Sequence, residues 1–126
     1  ADFIMHKQSG FSMSGVPYRA ILMGPVPNNF NSIFEYLANK EEIEIQFTNF
    51  KNGGTGEQFK PSAHKKLNEK LFSEFELNIL SEVAMRFEKT STDEIIDISH
   101  KENAWLENNE EKKLIDYKYS FELNQF

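Results

Sequence analysis

A chain of 126 residues that is 39% hydrophobic and 27% charged is long enough for one core and too short for several, and twelve phenylalanines make that core aromatic. The formal charge of −6 argues against a general phosphate-backbone binder, which needs a basic face to release counterions, and favours basic or mixed-charge protein partners. With no cysteine, disulfide and thiolate chemistry are excluded; no signal peptide and no bilayer-spanning apolar run is visible, so the expected location is the cytoplasm, with no membrane partner.

The chain opens inside a helical run (Phe3, Ile4, His6, Lys7) that Gly10 is placed to end, without an initiator methionine or a cap. It reads as a helix entered part-way, with an N-terminal piece expected upstream. Ser12 to Pro17 is loop, and Tyr18 opens the central stretch. Ala20 to Met23 is a short apolar run, a buried strand or extended segment, closed by a turn at Gly24-Pro25. Pro25 and Pro27 each fix φ near −65° and push the preceding residue to extended geometry, so Gly24-Pro25-Val26-Pro27 is a stiff connector. Asn28 and Asn29 are good N-caps, and Phe30, Ile33, Phe34 and Leu37 then form one apolar stripe that predicts a helix over 29–39.

The period then switches. Ile43, Ile45 and Phe47 alternate with Glu44, Gln46 and Thr48, which predicts a half-buried strand over 43–48. Lys51 to Gly56 is the glycine-dense stretch, read as a hairpin loop leading to a second strand over 57–61. A phosphate-cradling loop would end in Gly-Lys-Ser/Thr, whereas Gly56 is followed by Glu57. Lys60, Lys65, Lys66 and Lys70, with His64 among them, are the one basic cluster; a solvated loop and helix start explains them more simply than an anion site.

Ser73 with Glu76 forms a capping box, Phe72 is placed to staple onto Leu77, and Leu80, Val83, Ala84 and Phe87 continue an apolar stripe while Glu74, Glu82 and Glu88 face solvent, predicting a core helix over 73–89. On that reading Phe87→Ala costs about 3–5 kcal/mol and Glu82→Ala almost nothing. Ser91 with Glu94 repeats the box for a shorter helix carrying Ile95 and Ile98, with a further turn around Trp105 and Leu106, together covering 92–109. In the tail, Ile115, Tyr117, Tyr119 and Phe121 alternate with polar residues, the pattern of a last strand. The expected fold is α+β, mainly helical in one domain over 1–126, with a small antiparallel hairpin sheet from 43–48 and 57–61 that 18–23 or the tail would extend.

The extended segment running into Gly24-Pro25-Val26-Pro27 and an aromatic-rich helix resembles the Panacea domain, the SocA-like antitoxin domain. So do Phe72-Ser73-Glu74-Phe75-Glu76-Leu77, then Ser91-Thr92-Asp93-Glu94-Ile95, and Ser99-His100 followed by Trp105, in the family's order. The resemblance spans roughly positions 1–107, leaving 108–126 as a variable tail. It implies a small non-catalytic protein that neutralises a cognate toxin by direct binding, in systems carried by phages or mobile elements. Members begin their first helix further upstream than Ala1, in keeping with the truncated start. The partner-contact candidates are Tyr18, Gly24, Pro25, Val26 and Pro27, with His100 and Trp105 as the family-matching pair.

Two readings of these residues stay open. The proline connector either sets the angle between strand and helix or, having little conformational entropy to lose, meets the partner directly. His100 either hydrogen-bonds a backbone carbonyl at a helix junction while Trp105 fills core, or both line a partner-facing groove. Asp93, Asp97 and His100 share one helix face at i, i+4 and i+7, where a metal or an acid–base pair would fit, but no second ligand cluster supports them. No nucleophile or zinc template is present, so no catalytic residue, metal or cofactor is expected. The competing function is a winged-helix DNA-binding module, with 29–39 as recognition helix and 43–61 as wing. Asn31, Ser32, Glu35, Tyr36 and Asn39 on its polar face lack the cations that anchor phosphates.

Overall fold

The computed structural model describes residues 1–49 and 53–124 and divides into two compact units, Ala1–Asn28 with Glu69–Phe126, and Asn29–Asn68. The fold is α+β, as expected. In the first unit, α1 (Asp2–Ser9) ends at Gly10 in the left-handed region, and β1 (Tyr18–Ile21) pairs antiparallel with β2 (Gly24–Pro27). After Glu69 come α3 (Glu74–Phe87), α4 (Thr92–Ser99), α5 (Asn103–Leu106) and the two-residue β5 (Leu114–Ile115), which pairs with the other side of β1. Ala20, Ala104, Ile115 and Tyr119 form the buried cluster, with Phe3, Tyr18 and Trp105 packed against it.

Both capping boxes form: the side chains of Ser73 and Ser91 accept the N–H of Glu76 and Glu94, whose carboxylates accept the Ser73 and Ser91 N–H in return. In α3 the expected stripe misses the deepest residue. Its one buried residue is Ile79, 2% exposed, which the stripe omitted, while Ala84 is exposed and Phe87 only half-buried. Leu77, Leu80, Val83 and Phe87 of the expected stripe are partly buried and Glu74, Glu82 and Glu88 are exposed, so the expected face is the covered one with Ile79 added to it; α3 packs on α1. The helical stretch expected over 92–109 is, as read, a shorter helix and a further turn, and it ends at Leu106. Glu102 has extended backbone and its carboxylate accepts the Asn124 N–H at 3.0 Å, a tie to the tail that breaks the run between α4 and α5.

The tail is not a strand beyond Ile115. Asp116 accepts the Lys118 N–H at 2.8 Å and starts a 3-10 turn over Tyr117–Glu122, because a side-chain acceptor two residues back competes with strand pairing. Tyr119 and Ser120 are both buried there, which an alternating strand with one wet face would not allow. The turn packs on α1, where His6 Nδ1 and Ser120 Oγ share a 2.7 Å hydrogen bond and His6 stacks on Tyr117.

The second unit holds α2 (Phe30–Asn39), β3 (Ile43–Asn49) and β4 (Thr55–Pro61). The hairpin is present with Ile45 opposite Phe59, but neither 18–23 nor the tail joins it; those form the separate sheet of order β2-β1-β5. Part of the expected hairpin loop, Lys51 and Asn52, lies outside the described residues. Phe34 of α2 stacks on Phe59 with centroids 4.1 Å apart. Yet no described residue of this unit is buried, and Phe47, expected half-buried, is 82% exposed.

Candidate functional site

The partner-contact candidates gather on the β1–β2 hairpin and the α4–α5 junction. The chain does not turn at Gly24-Pro25 but two residues earlier, at Leu22-Met23, and the Gly24–Pro27 connector is itself a strand. Two side chains hold that turn from outside. The Trp105 indole N–H donates to the Ile21 carbonyl at 2.8 Å, and His100 Nε2 lies 3.0 Å from the Leu22 carbonyl, an acceptor only, so this nitrogen carries the proton. The two rings stack at 3.7 Å between centroids. A polar clamp thus fixes the backbone of a tip whose side chains, Leu22 at 77% and Met23 at 58% exposure, face water.

Gly24 seats the hairpin on α4. Its φ of +116° is open to glycine, and a Cβ there would stand 2.8 Å from Ser99 Oγ. The prolines follow from the register. Asn28 N–H donates to the Pro17 carbonyl, so Val26 and Arg19 are the next hydrogen-bonded pair, and Pro25 and Pro27 point their missing N–H groups away from β1. The outer edge of β2 therefore offers carbonyls but no amide at either position, and it has nothing to donate to a further strand.

Tyr18 sits at the far end of β1 from the tip. Its hydroxyl donates to Asp2 Oδ2 at 2.8 Å, and the same carboxylate accepts from the Ser14 N–H and hydroxyl, each at 2.7 Å. Burial opposes ionisation of Asp2, but the Ser14 and Tyr18 hydrogen bonds outweigh it and hold its carboxyl below the ordinary range. Burial, then the Asp2 hydrogen bond and charge, push Tyr18 well above the usual phenol range. Tyr18 is thus a neutral, fully engaged donor. Beside it a cavity of about 190 Å³ is lined by Phe3, Tyr18, Pro25, Ser99, Ala104 and Leu123 among others.

Three of these features escaped sequence reading: the Leu22-Met23 tip, the Asp2–Ser14–Tyr18 network, and Ser99 as the stop beneath Gly24. Only the tip carried a signal, as two large apolar residues immediately before a glycine. Asp93 and Asp97 are exposed and His100 is turned to the hairpin; among the described residues no group of three His, Cys, Asp or Glu is placed to hold a metal ion.

The family described as "Antitoxin SocA-like, Panacea domain" has a model that matches residues 1–106, from α1 to the end of α5. The chain belongs to the Panacea domain family. No curated protein and no solved structure matches it. The matched span holds every contact candidate, whereas β5 and the 3-10 turn, which complete the core of this Panacea domain, lie after it. Among the described residues, no helix of the Panacea domain is long and apolar enough to cross a membrane.

Proposed function

We propose that this Panacea domain neutralises a cognate toxin in the cytoplasm by stoichiometric, non-catalytic binding, and that the β1–β2 hairpin meets the partner. The family match over 1–106 carries the reading. The hairpin is suited to the role because its tip is apolar, exposed and already rigid, so little conformational entropy remains to be lost on binding. On this reading Leu22, Met23 and the connector Pro25-Val26-Pro27 touch the toxin, while Gly24, Tyr18, His100 and Trp105 position them. The acidic chain would also be steered toward a basic partner.

The test is co-expression with the product of the adjacent reading frame, scoring growth rescue and co-purification. Leu22→Asp and Met23→Asp are expected to keep the parent circular dichroism and weaken binding by roughly tenfold or more, the effect of losing a well-packed apolar anchor. Val26→Asp should behave likewise, whereas Pro25→Ala should lower the melting temperature if the connector is architectural alone. A folded parent that neither rescues growth nor co-purifies defeats the proposal.

One observation favours a DNA-binding alternative: α2 followed by β3–β4 is the order of a recognition helix and wing. Against it, the exposed Asn31, Ser32, Glu35, Tyr36 and Asn39 bring one negative charge and no cation. An electrophoretic shift at physiological salt would decide for DNA.

A further inference from the structure

The two sheets treat their edges in opposite ways. On β2 both outward positions are proline. On β4 the Ser62 N–H donates to the Glu42 carbonyl at 3.1 Å, which makes 42 and 62 a hydrogen-bonded pair and, by alternation, 44 with 60, 46 with 58 and 48 with 56. Pro61 therefore also turns its absent N–H outward. The outer edge of β3 is different. Ile43, Ile45 and Phe47 all aim N–H and C=O away from β4, none is proline, and no hydrogen bond among the described residues reaches those groups. Three consecutive outward amides, at the two-residue spacing of a ladder, stand ready on a two-stranded sheet, which is marginal by itself and gains from a third strand.

The side chains specify the occupant. Ile43, Ile45 and Phe47 share with Phe59 the face on which Phe34 of α2 stacks, and Phe47 is left bare; Glu44, Gln46 and Thr48 share the other, solvated face. An incoming strand must place apolar residues beside Ile45 and Phe47 and polar ones beside Glu44. Glu44 is exposed and lies opposite Lys60 on β4, so a new strand would flank its other side, where a basic residue is attracted to the carboxylate and an acidic one repelled. We infer that the β3 edge accepts an extended segment of the toxin, with alternating apolar and basic residues, as a third strand of the β3–β4 sheet. This deepens the proposed function and rests on its reading of the chain as a toxin binder.

Hydrogen–deuterium exchange of the parent chain, alone and with the co-expressed toxin, tests it without any variant. The expected result is slowed exchange at Ile43, Ile45 and Phe47 in the complex. Phe47→Pro removes one outward N–H and no hairpin bond, while Phe47→Ala removes the ring alone, so the proline variant should bind about tenfold more weakly than the alanine variant at equal melting temperature. Co-purification with no slowing at β3 and equal affinity for the two variants overturns the strand addition and leaves the antitoxin reading standing. Slowing at β3 in the chain alone, rising with concentration and accompanied by a dimer mass, makes the occupant a second copy and overturns it too. Absence of any complex ends both readings.

Discussion

Gly24 is constrained twice, by a φ of +116° and by Ser99 Oγ at 2.8 Å from where a Cβ would lie. Gly24→Ala should cost about 1–3 kcal/mol, read as a drop in melting temperature. Adding Ser99→Gly should recover only part of it, since the clash is relieved and the backbone strain is not; full recovery would show the strain to be negligible. Asp2 gives the residue-scale pH dependence. Its carboxyl titrates lower in the folded chain than the roughly 3.9 of an unfolded one, so its contribution is present above about pH 4 and fades as pH falls through the folded value. Tyr18 has the opposite sign: its raised folded value means a contribution present up to about pH 10 and lost above it. Asp2→Asn should remove about 1.5–3 kcal/mol at neutral pH, the range for hydrogen bonds to a charged group, and flatten the acid limb of the melting curve. Tyr18→Phe should remove the alkaline loss that Tyr18 contributes while keeping the ring between Phe3 and Tyr117.

At the scale of the element, α3 shows how a correct helix and apolar side can leave the most deeply buried residue, Ile79, unnamed. Its start is written into four residues, but which residue of the covered side is buried most deeply depends on packing with other elements such as α1. Ile79→Ala should cost about 2–5 kcal/mol, as a fully buried aliphatic does, and Phe87→Ala distinctly less, because a half-buried ring leaves no closed cavity. Denaturant titration of both variants checks the order, and the reverse order would make Phe87 rather than Ile79 the anchor of the helix. The clamp on the β1–β2 turn is a second such case. Trp105→Phe keeps an aromatic ring but loses the donor to the Ile21 carbonyl, and a loss of about 1 kcal/mol is expected from the hydrogen bond, apart from any change in packing. With the clamp loosened, toxin affinity should fall further than the stability change alone explains if the tip is a contact.

For the whole molecule, the two units differ in what holds them. The first has a buried cluster closed by residues from both ends of the chain. The second depends on half-buried contacts such as Phe34 on Phe59 and on the exposed Lys65–Glu42 ion pair at 2.9 Å, whose contribution is small in water. Amides of β3 and β4 should therefore exchange faster than those of β1 in the free chain, by local opening rather than global unfolding. Equal protection in both sheets would contradict this.

What the sequence by itself determined are the features whose causes lie within a few residues. These are the two capping boxes, the Gly10 stop, α2 from its 3.6 period, the β3–β4 hairpin and the ordered motifs of a Panacea domain. Even the correct helix starts and the two proline positions could be named without knowing their neighbours. What only the tertiary structure decided are the features whose causes are remote in sequence. The turn falls at Leu22-Met23 because its carbonyls meet His100 and Trp105, which are 78 and 84 residues from their partners. The outward aim of Pro25 and Pro27 comes from the strand register, and which residues of the 3-10 turn after Asp116 are buried comes from its packing on α1. Local periodicity reports one face of one segment; which partner covers that face is set by contacts that exist only once the chain has closed on itself.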